Sequence, residues 1–260
     1  MTDIRTVVLL AAGQGSRLRP WTDHLPKCMV PVAGVAMVDR LLRSLAETSV
    51  ERVVVATGHG AQALRAHLEE WSRRFDIDEV PCSDFATTNN VVSLQRALAV
   101  VDEGALIVES DVVADSRLWA AMTRSGRCAL GRFDAESMNG TTATVDAAGR
   151  VVAMHLGGLG PRPHGSWKTV NATSLARADV ALLRAGLESC VASGATGVYY
   201  EQEIARLVAA GSLSLRAVDF DAGRWFEVDT PDDLAIADRL FGAYEAPSLA
   251  RPRDAARSWA

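Results

Sequence analysis

Two arginines and a lysine follow a hydrophobic run within fifteen residues of this chain: after Val7-Val8-Leu9-Leu10-Ala11-Ala12 come Gly13, Gly15, Arg17, Arg19, Pro20, Pro26 and Lys27. Such a run reads as a buried strand delivering a glycine-spaced loop, whose backbone can approach a ligand closely and whose side chains are cationic. Polyphosphate matches both features, because bare backbone N–H groups and guanidinium forks both bind phosphate oxygens. A dinucleotide loop fits worse, since it wants a third glycine where Leu18 stands. A P-loop wants a lysine directly after a glycine, and there is none here. An ordinary glycine-rich turn between strand and helix is the plain alternative.

Two acidic strand ends could complete such a site. Leu106-Ile107-Val108-Glu109-Ser110-Asp111 closes an apolar run with two acids spaced to lie on one side. Ligands of open α/β sheets bind at these carboxyl ends. Trp225-Phe226-Glu227-Val228-Asp229 is a second such end. Mg²⁺ takes oxygen ligands, usually one or two carboxylates plus phosphate oxygens, which points to Asp111 and Asp229 as the metal-binding pair. Either acid could instead serve a loop or a cap. Asp229 is the more exposed to that reading, because a helix should start right after it, with Thr230 as N-cap and Pro231 in its first position. Of the 27 basic residues only Lys27 and Lys168 are lysine. A lysine kept in such a chain suggests a compact ammonium where a planar guanidinium would not fit; two ordinary surface lysines are the alternative.

The elements that must position these groups follow from periodicity. Strand-like runs at 7–10, 52–56 and 105–108 alternate with helical patterns at 37–47, 61–71 and 91–100. This alternation implies an α/β fold with a Rossmann-like, mostly parallel sheet flanked by helices. Runs at 128–133, 141–145 and 151–154 suggest a small antiparallel insertion over the substrate site. Helices are expected at 179–192, 199–210 and 231–240, and strands at 213–218 and 225–228. Residues 1–245 read as one domain, and 246–260 as a disordered tail. A chain of 260 residues, 48% of them hydrophobic, can bury one substantial core. Its net charge of −5 argues against nucleic acid as the main partner. No apolar run approaches the roughly 20 residues of a membrane span, and no leader peptide is visible. Cys28, Cys82, Cys128 and Cys190 form no metal or redox spacing and read as reduced thiols of a cytoplasmic protein, with Cys28 beside Lys27 a candidate reactive thiol. A homodimer would be unsurprising.

The segment Leu10-Ala11-Ala12-Gly13-Gln14-Gly15-Ser16-Arg17-Leu18-Arg19-Pro20, continued by Thr22, Pro26 and Lys27, closely resembles the signature of the nucleotidyltransferases. These enzymes condense a nucleoside triphosphate with a phosphorylated small molecule and release pyrophosphate. Their late E-[IV]-D-[ST]-x-x-D segment is matched by Glu227-Val228-Asp229-Thr230-Pro231-Asp232 with Asp233. The resemblance spans about residues 5–240 and implies the nucleotide-diphospho-sugar transferase type of fold. It places Leu10, Ala11, Ala12, Gly13, Gly15, Ser16, Ser93 and Glu109 on the nucleotide, Arg17 on the leaving pyrophosphate, Lys27 between the reacting phosphorus centres, and Mg²⁺ on Asp111 and Asp229.

The middle of the chain narrows the resemblance. Residues 83–94, with Asn89-Asn90 and Ser93-Leu94, are similar to the Y-x-x-x-N-N-x-x-S-L segment of cytidylyltransferases that activate phosphocholine and small phosphonates. An asparagine pair at a helix start suits capping; within the resemblance Asn89 and Asn90 become candidates for positioning the cytosine or its ribose. Lys168-Thr169-Val170-Asn171 looks like the phosphonate members, and so implies CTP and a small phosphonate as substrates. Lys168, Asn171, Asn139 and, less directly, Arg132 or Arg19 would then bind the acceptor. Asn139 cannot supply the ion pair an ammonium tail wants in a partly dry site. With Arg127, Arg132 and Lys168 nearby, a hydroxyl or carboxylate tail is expected; Asn139 as a plain turn residue before Gly140 is the alternative. Other readings are a phosphocholine cytidylyltransferase with Trp167 or Trp225 around the choline, a sugar-1-phosphate nucleotidyltransferase, and a non-catalytic nucleotide-binding module.

Overall fold

The computed structural model describes residues 2–136, 138–157 and 163–242; the expected tail at 246–260 lies outside them. The apolar runs become three neighbouring parallel strands, β1 (Thr6–Ala11), β4 (Arg52–Thr57) and β6 (Ala105–Glu109). Between the first two lie a two-residue hairpin, β2 (Pro31–Val32) with β3 (Val35–Ala36), and helix α1 (Met37–Ala46). After β4 come α2 (Ala61–Leu68), strand β5 (Asp76–Pro81), which pairs in parallel with β4, and α3 (Asn90–Leu98). Alternate residues of β1 explain why helices cover both faces. Val8, Leu10 and Ala12 pack with α3, while Val7, Leu9 and Ala11 pack with α1 and α2.

The second half continues the same sheet. After β6 follow β7 (Val112–Ala114), α4 (Ser116–Met122), β8 (Arg127–Arg132), β9 (Thr142–Val145), β10 (Arg150–His155) and β11 (Trp167–Leu175). Next come α5 (Arg177–Ala192), α6 (Glu201–Ala209), β12 (Leu215–Asp219), β13 (Trp225–Glu227) and α7 (Pro231–Gly242). The nine strands run in the order β5-β4-β1-β6-β11-β8-β12-β10-β9. The sheet is parallel from β5 to β6 and mixed beyond, because β11 is antiparallel to both β6 and β8. The strands expected as a small antiparallel insertion, now β8, β9 and β10, join the main sheet.

Strand β11 is the one that matters most for function. Running against β6, it sets Ala172 opposite Val108, which brings its Lys168–Asn171 half to the same sheet end as Glu109 and Asp111. Among the described residues, no helix is long and apolar enough to cross a membrane.

Candidate active site

Four chain segments meet at the carboxyl end of the parallel strands. The first is the turn after β1. Gly15 adopts φ +59°, and a Cβ there would lie 3.0 Å from Thr22 Cγ2 and 3.2 Å from Lys27 Cβ, so a side chain meets both strain and crowding. The Thr22 hydroxyl donates to the Gly15 carbonyl at 2.8 Å and folds the loop back on itself. Lys27 is thereby carried under the turn, at the start of a short helical turn behind Pro26.

The two acids are brought together by a ladder of three residue pairs. Strands β7 and β13 pair Val112 with Glu227, Val113 with Phe226 and Ala114 with Trp225. The Val228 N–H then donates to the Asp111 carbonyl at 2.9 Å. Asp111 and Asp229 leave the same end of this ladder. Lys27 Nζ lies 2.8 Å from Asp111 Oδ2 and 2.5 Å from Asp229 Oδ1, and Arg17 Nη2 is 2.9 Å from that same Asp229 oxygen. Burial acts to lower the Lys27 pKa, but Asp111 and Asp229 outweigh it and hold the ammonium above its ordinary value. The capping duty that could have claimed Asp229 falls to its neighbours. Asp233 Oδ2 accepts from the N–H groups of Asp229 and Thr230, and the Asp233 N–H donates to the Thr230 hydroxyl.

These groups floor an open cleft of about 430 Å³, within the size range of small-molecule sites. Its lining draws Leu10, Ala12, Gly13, Gly15, Ser16, Arg17 and Lys27 from β1 and the loop after it, and Asn89, Asn90, Ser93, Glu109, Asp111 and Asp229 from later segments. Ala11 faces the opposite layer, with α1 and α2. Gln14, Phe85, Thr88, Ser110 and Tyr199 also line the cleft; the sequence motifs contain them but gave them no role. For Phe85 a signal existed: an aromatic four residues ahead of the asparagine pair. Asn89 caps α3, its Oδ1 accepting from the Asn90 N–H, and ties α3 to the Gly197 carbonyl. The Asn90 amide reaches Glu109 at 3.1 Å, and its oxygen accepts from the Tyr200 N–H.

A second layer of acids lies behind the cleft. Asn171, held at φ +50° where β11 shifts register, donates to Glu109 at 3.4 Å and to Glu227 at 3.3 Å. Lys168 is buried, with Nζ 3.1 Å from Glu227 and 2.8 Å from the Thr169 carbonyl, under a Gly140 whose Cβ would come within 3.2 Å of it. Burial raises the carboxyl pKa values of Glu109, Glu201 and Glu227, and mutual repulsion adds to it. Lys168 pairs with Gly131 and Trp167 with Arg132 across β11 and β8, so Arg132 and Trp167 project to the other face of the sheet from Lys168. Asn139 is exposed ahead of Gly140. Arg19 pairs with Asp23 at the surface. Cys28 is fully buried and its thiol is pushed up to about 12, so it is no reactive thiolate.

The fit to a divalent metal can be tested on the acids themselves. Asp111 Oδ1 is buried with no hydrogen-bond partner, an uncommon state for a carboxylate oxygen. Among the described residues no group of three or more His, Cys, Asp or Glu forms a ready metal cage. Two carboxylates completed by substrate phosphate oxygens is the arrangement Mg²⁺ favours, so the residues fit.

With this geometry in place, the chain can be set beside known proteins. The model of a MobA-like NTP transferase domain matches residues 7–156. The CMP-5'-(3-aminopropyl)phosphonate synthase of Streptomyces rubellomurinus is 32% identical over 90% of this chain and 38% of its own length. The 2-aminoethylphosphonate cytidylyltransferase of Lancefieldella rimae is 28% identical over 58% of this chain and 61% of its own length. The chain thus spans less than two thirds of these relatives. A CTP:phosphocholine cytidylyltransferase from Streptococcus pneumoniae shares the fold, with a TM-score of 0.75 at 16% identity over 92% of this chain and 100% of that one.

Proposed function

The chain belongs to the MobA-like NTP transferase domain family, and from that premise we propose that it transfers a cytidylyl group from CTP to a small phosphonate, releasing pyrophosphate. The observation that carries this reading is the Lys27 ammonium bridging Asp111 and Asp229 on the floor of the cleft, beside the turn of Gly13 and Gly15. A phosphonate oxygen attacks the α-phosphorus; one P–O bond forms, the bond to the bridging oxygen of the departing pyrophosphate breaks, and no protein nucleophile intervenes. Catalysis is then positioning and charge neutralisation.

Backbone N–H groups of residues 13–16 receive the triphosphate, and Arg17 faces the leaving pyrophosphate. Lys27 stands where two anions must meet. Asp111 and Asp229 would hold Mg²⁺, which supplies neutralisation of the charge developing at the α-phosphate. The preference for CTP is supported by the names of the two relatives and by the Asn89-Asn90 segment. The two asparagines act by fixing α3 against Gly197 and Tyr200, so they shape the nucleoside wall.

The acceptor we infer is amine-bearing, which reverses the expectation drawn from Asn139. Of the cations that favoured a carboxylate tail, Arg127 is spent on the Ala121 carbonyl, Arg132 lies on the other face and Lys168 is paired with Glu227. Glu109 lines the cleft with Glu201 behind it, neither paired to a cation among the described residues, and both relatives are named for aminoalkyl phosphonates. A choline cage built from Trp167 and Trp225 is disfavoured, because Trp225 packs over Gly131 on the face opposite to Trp167. The test compares kcat/KM for 2-aminoethylphosphonate, 2-hydroxyethylphosphonate and phosphonoformate at fixed CTP. The amine should be used best by at least about tenfold, the worth of one ion pair in a partly buried site; a preference for phosphonoformate would overturn the assignment.

A further inference from the structure

At the end of β4 the chain makes a tight turn, Gly58-His59-Gly60, that touches three parts of the cleft without lining it. The His59 N–H donates to the Ala12 carbonyl at 3.0 Å, at the root of the turn that carries Gly13 and Gly15. The His59 ring places Nε2 2.7 Å from the Thr22 carbonyl. A carbonyl only accepts, so Nε2 must carry the proton in this contact. Thr22 in turn holds the Gly15 carbonyl with its hydroxyl. On its other side the ring meets Phe85 edge-on, with centroids 6.3 Å apart, and Phe85 lines the cleft.

The flanking glycines allow this close approach. A Cβ on Gly58 would fall 2.5 Å from the Ala12 carbonyl oxygen and 2.9 Å from the Phe85 ring, and one on Gly60 would fall 2.6 Å from Pro26 Cδ. The turn is therefore wedged between the root of the loop after β1, its far end just before Lys27, and the aromatic of the opposite wall. Two of its hydrogen bonds and one ring contact converge on a single side chain and its own amide.

We propose that His59 is a positioning residue: a bracket that fixes residues 12–27 and Phe85 in one mutual arrangement, so that the backbone donors of the turn and Lys27 are already set when a nucleoside triphosphate arrives. The proposal rests on the triphosphate reading of the preceding subsection. Its logic is preorganisation: a loop held by a second layer of contacts does not have to be ordered by the ligand. The contacts of His59 go to the loop and the nucleoside wall, at Ala12, Thr22 and Phe85, so its loss should be felt by the triphosphate and spared by the acceptor.

The experiment compares wild type, His59→Ala and His59→Gln. Glutamine keeps an N–H donor on a flexible stem of similar reach. His59→Ala should raise KM and the directly measured Kd for CTP by about tenfold to a hundredfold, with the acceptor KM within about twofold; His59→Gln should recover most of the loss. Amide hydrogen exchange over residues 13–26 of the free protein should quicken in His59→Ala and return in His59→Gln. A merely structural role predicts otherwise: kcat falling with the fraction of folded protein, both KM values unchanged, and no rescue by glutamine. That result would overturn the proposal, as would unchanged exchange over 13–26. If the wild-type protein binds no nucleoside triphosphate, the functional reading fails, while hydrogen exchange still decides the bracket.

Discussion

Lys27 contacts two carboxylates at once, so replacing it tests shape as well as charge. A planar guanidinium is wider than an ammonium and cannot sit between Asp111 Oδ2 and Asp229 Oδ1 at 2.8 and 2.5 Å. Lys27→Arg should therefore lose kcat nearly as completely as Lys27→Ala, on the order of a hundredfold or more, read in steady-state turnover. An arginine variant within tenfold of wild type would remove the point-charge argument. Asp111→Asn and Asp229→Asn should each lower kcat by about two orders of magnitude and weaken the Mg²⁺ dependence, with the fold intact by circular dichroism. The two differ in one respect. Asp229 also holds Arg17 at 2.9 Å, so its loss frees two cations where the loss of Asp111 frees one. Asp111 and Asp229 stood out in the sequence because each closes an apolar run, and Lys27 because it follows a glycine-spaced turn in a chain with only two lysines. Their mutual pairing did not, since it depends on the β7–β13 ladder, whose strands are only three residues long.

At the scale of elements, α7 shows how a cap frees a functional residue. Thr230 accepts from the Asp233 N–H in the first turn, while Asp233 reaches back to the N–H groups of Thr230 and Asp229 just ahead of the helix, and this leaves the Asp229 carboxylate for the cleft. Asp233→Ala should cost about 1–2 kcal/mol in urea unfolding, the usual worth of a lost N-terminal cap, and should also weaken the Mg²⁺ dependence as Asp229 turns to cap in its place. A stability loss with unchanged metal dependence would confine Asp233 to the helix. The helix start was readable from Thr230-Pro231. Strands β5 and β11 were not readable, for different reasons. β5, Asp76–Pro81, is an edge strand with acids at 76, 78 and 79 and a closing proline, a sequence that imitates a loop. β11 is central, yet its front half carries Lys168, Thr169 and Asn171 because it faces the acids, so function erased the apolar run. That erased run was visible as a motif and invisible as a strand.

Taken as a whole molecule, the protein concentrates buried acid at one end of its sheet. Glu201 illustrates the consequence: burial raises its carboxyl pKa above the ordinary 4.5. The folded state then holds the proton more tightly than the unfolded chain. This contribution to stability is full below pH 4.5 and is lost as pH rises through the folded value. Glu201→Gln should therefore flatten the decline of Tm as pH rises above 4.5, read by thermal melts in matched buffers. A parallel shift at every pH would mean Glu201 titrates as it does in the unfolded chain. The sheet order, the cleft and the paired acids all bear on the proposed transfer of a cytidylyl group. Its most direct test is pyrophosphate release with Mg²⁺, 2-aminoethylphosphonate and each of CTP, UTP, dTTP, ATP and GTP in turn. Turnover with CTP should be at least about tenfold faster than with any other, since a wrong base leaves buried polar groups unpaired at roughly 1–3 kcal/mol each. Equal turnover with UTP or dTTP, or no pyrophosphate with CTP, would contradict it.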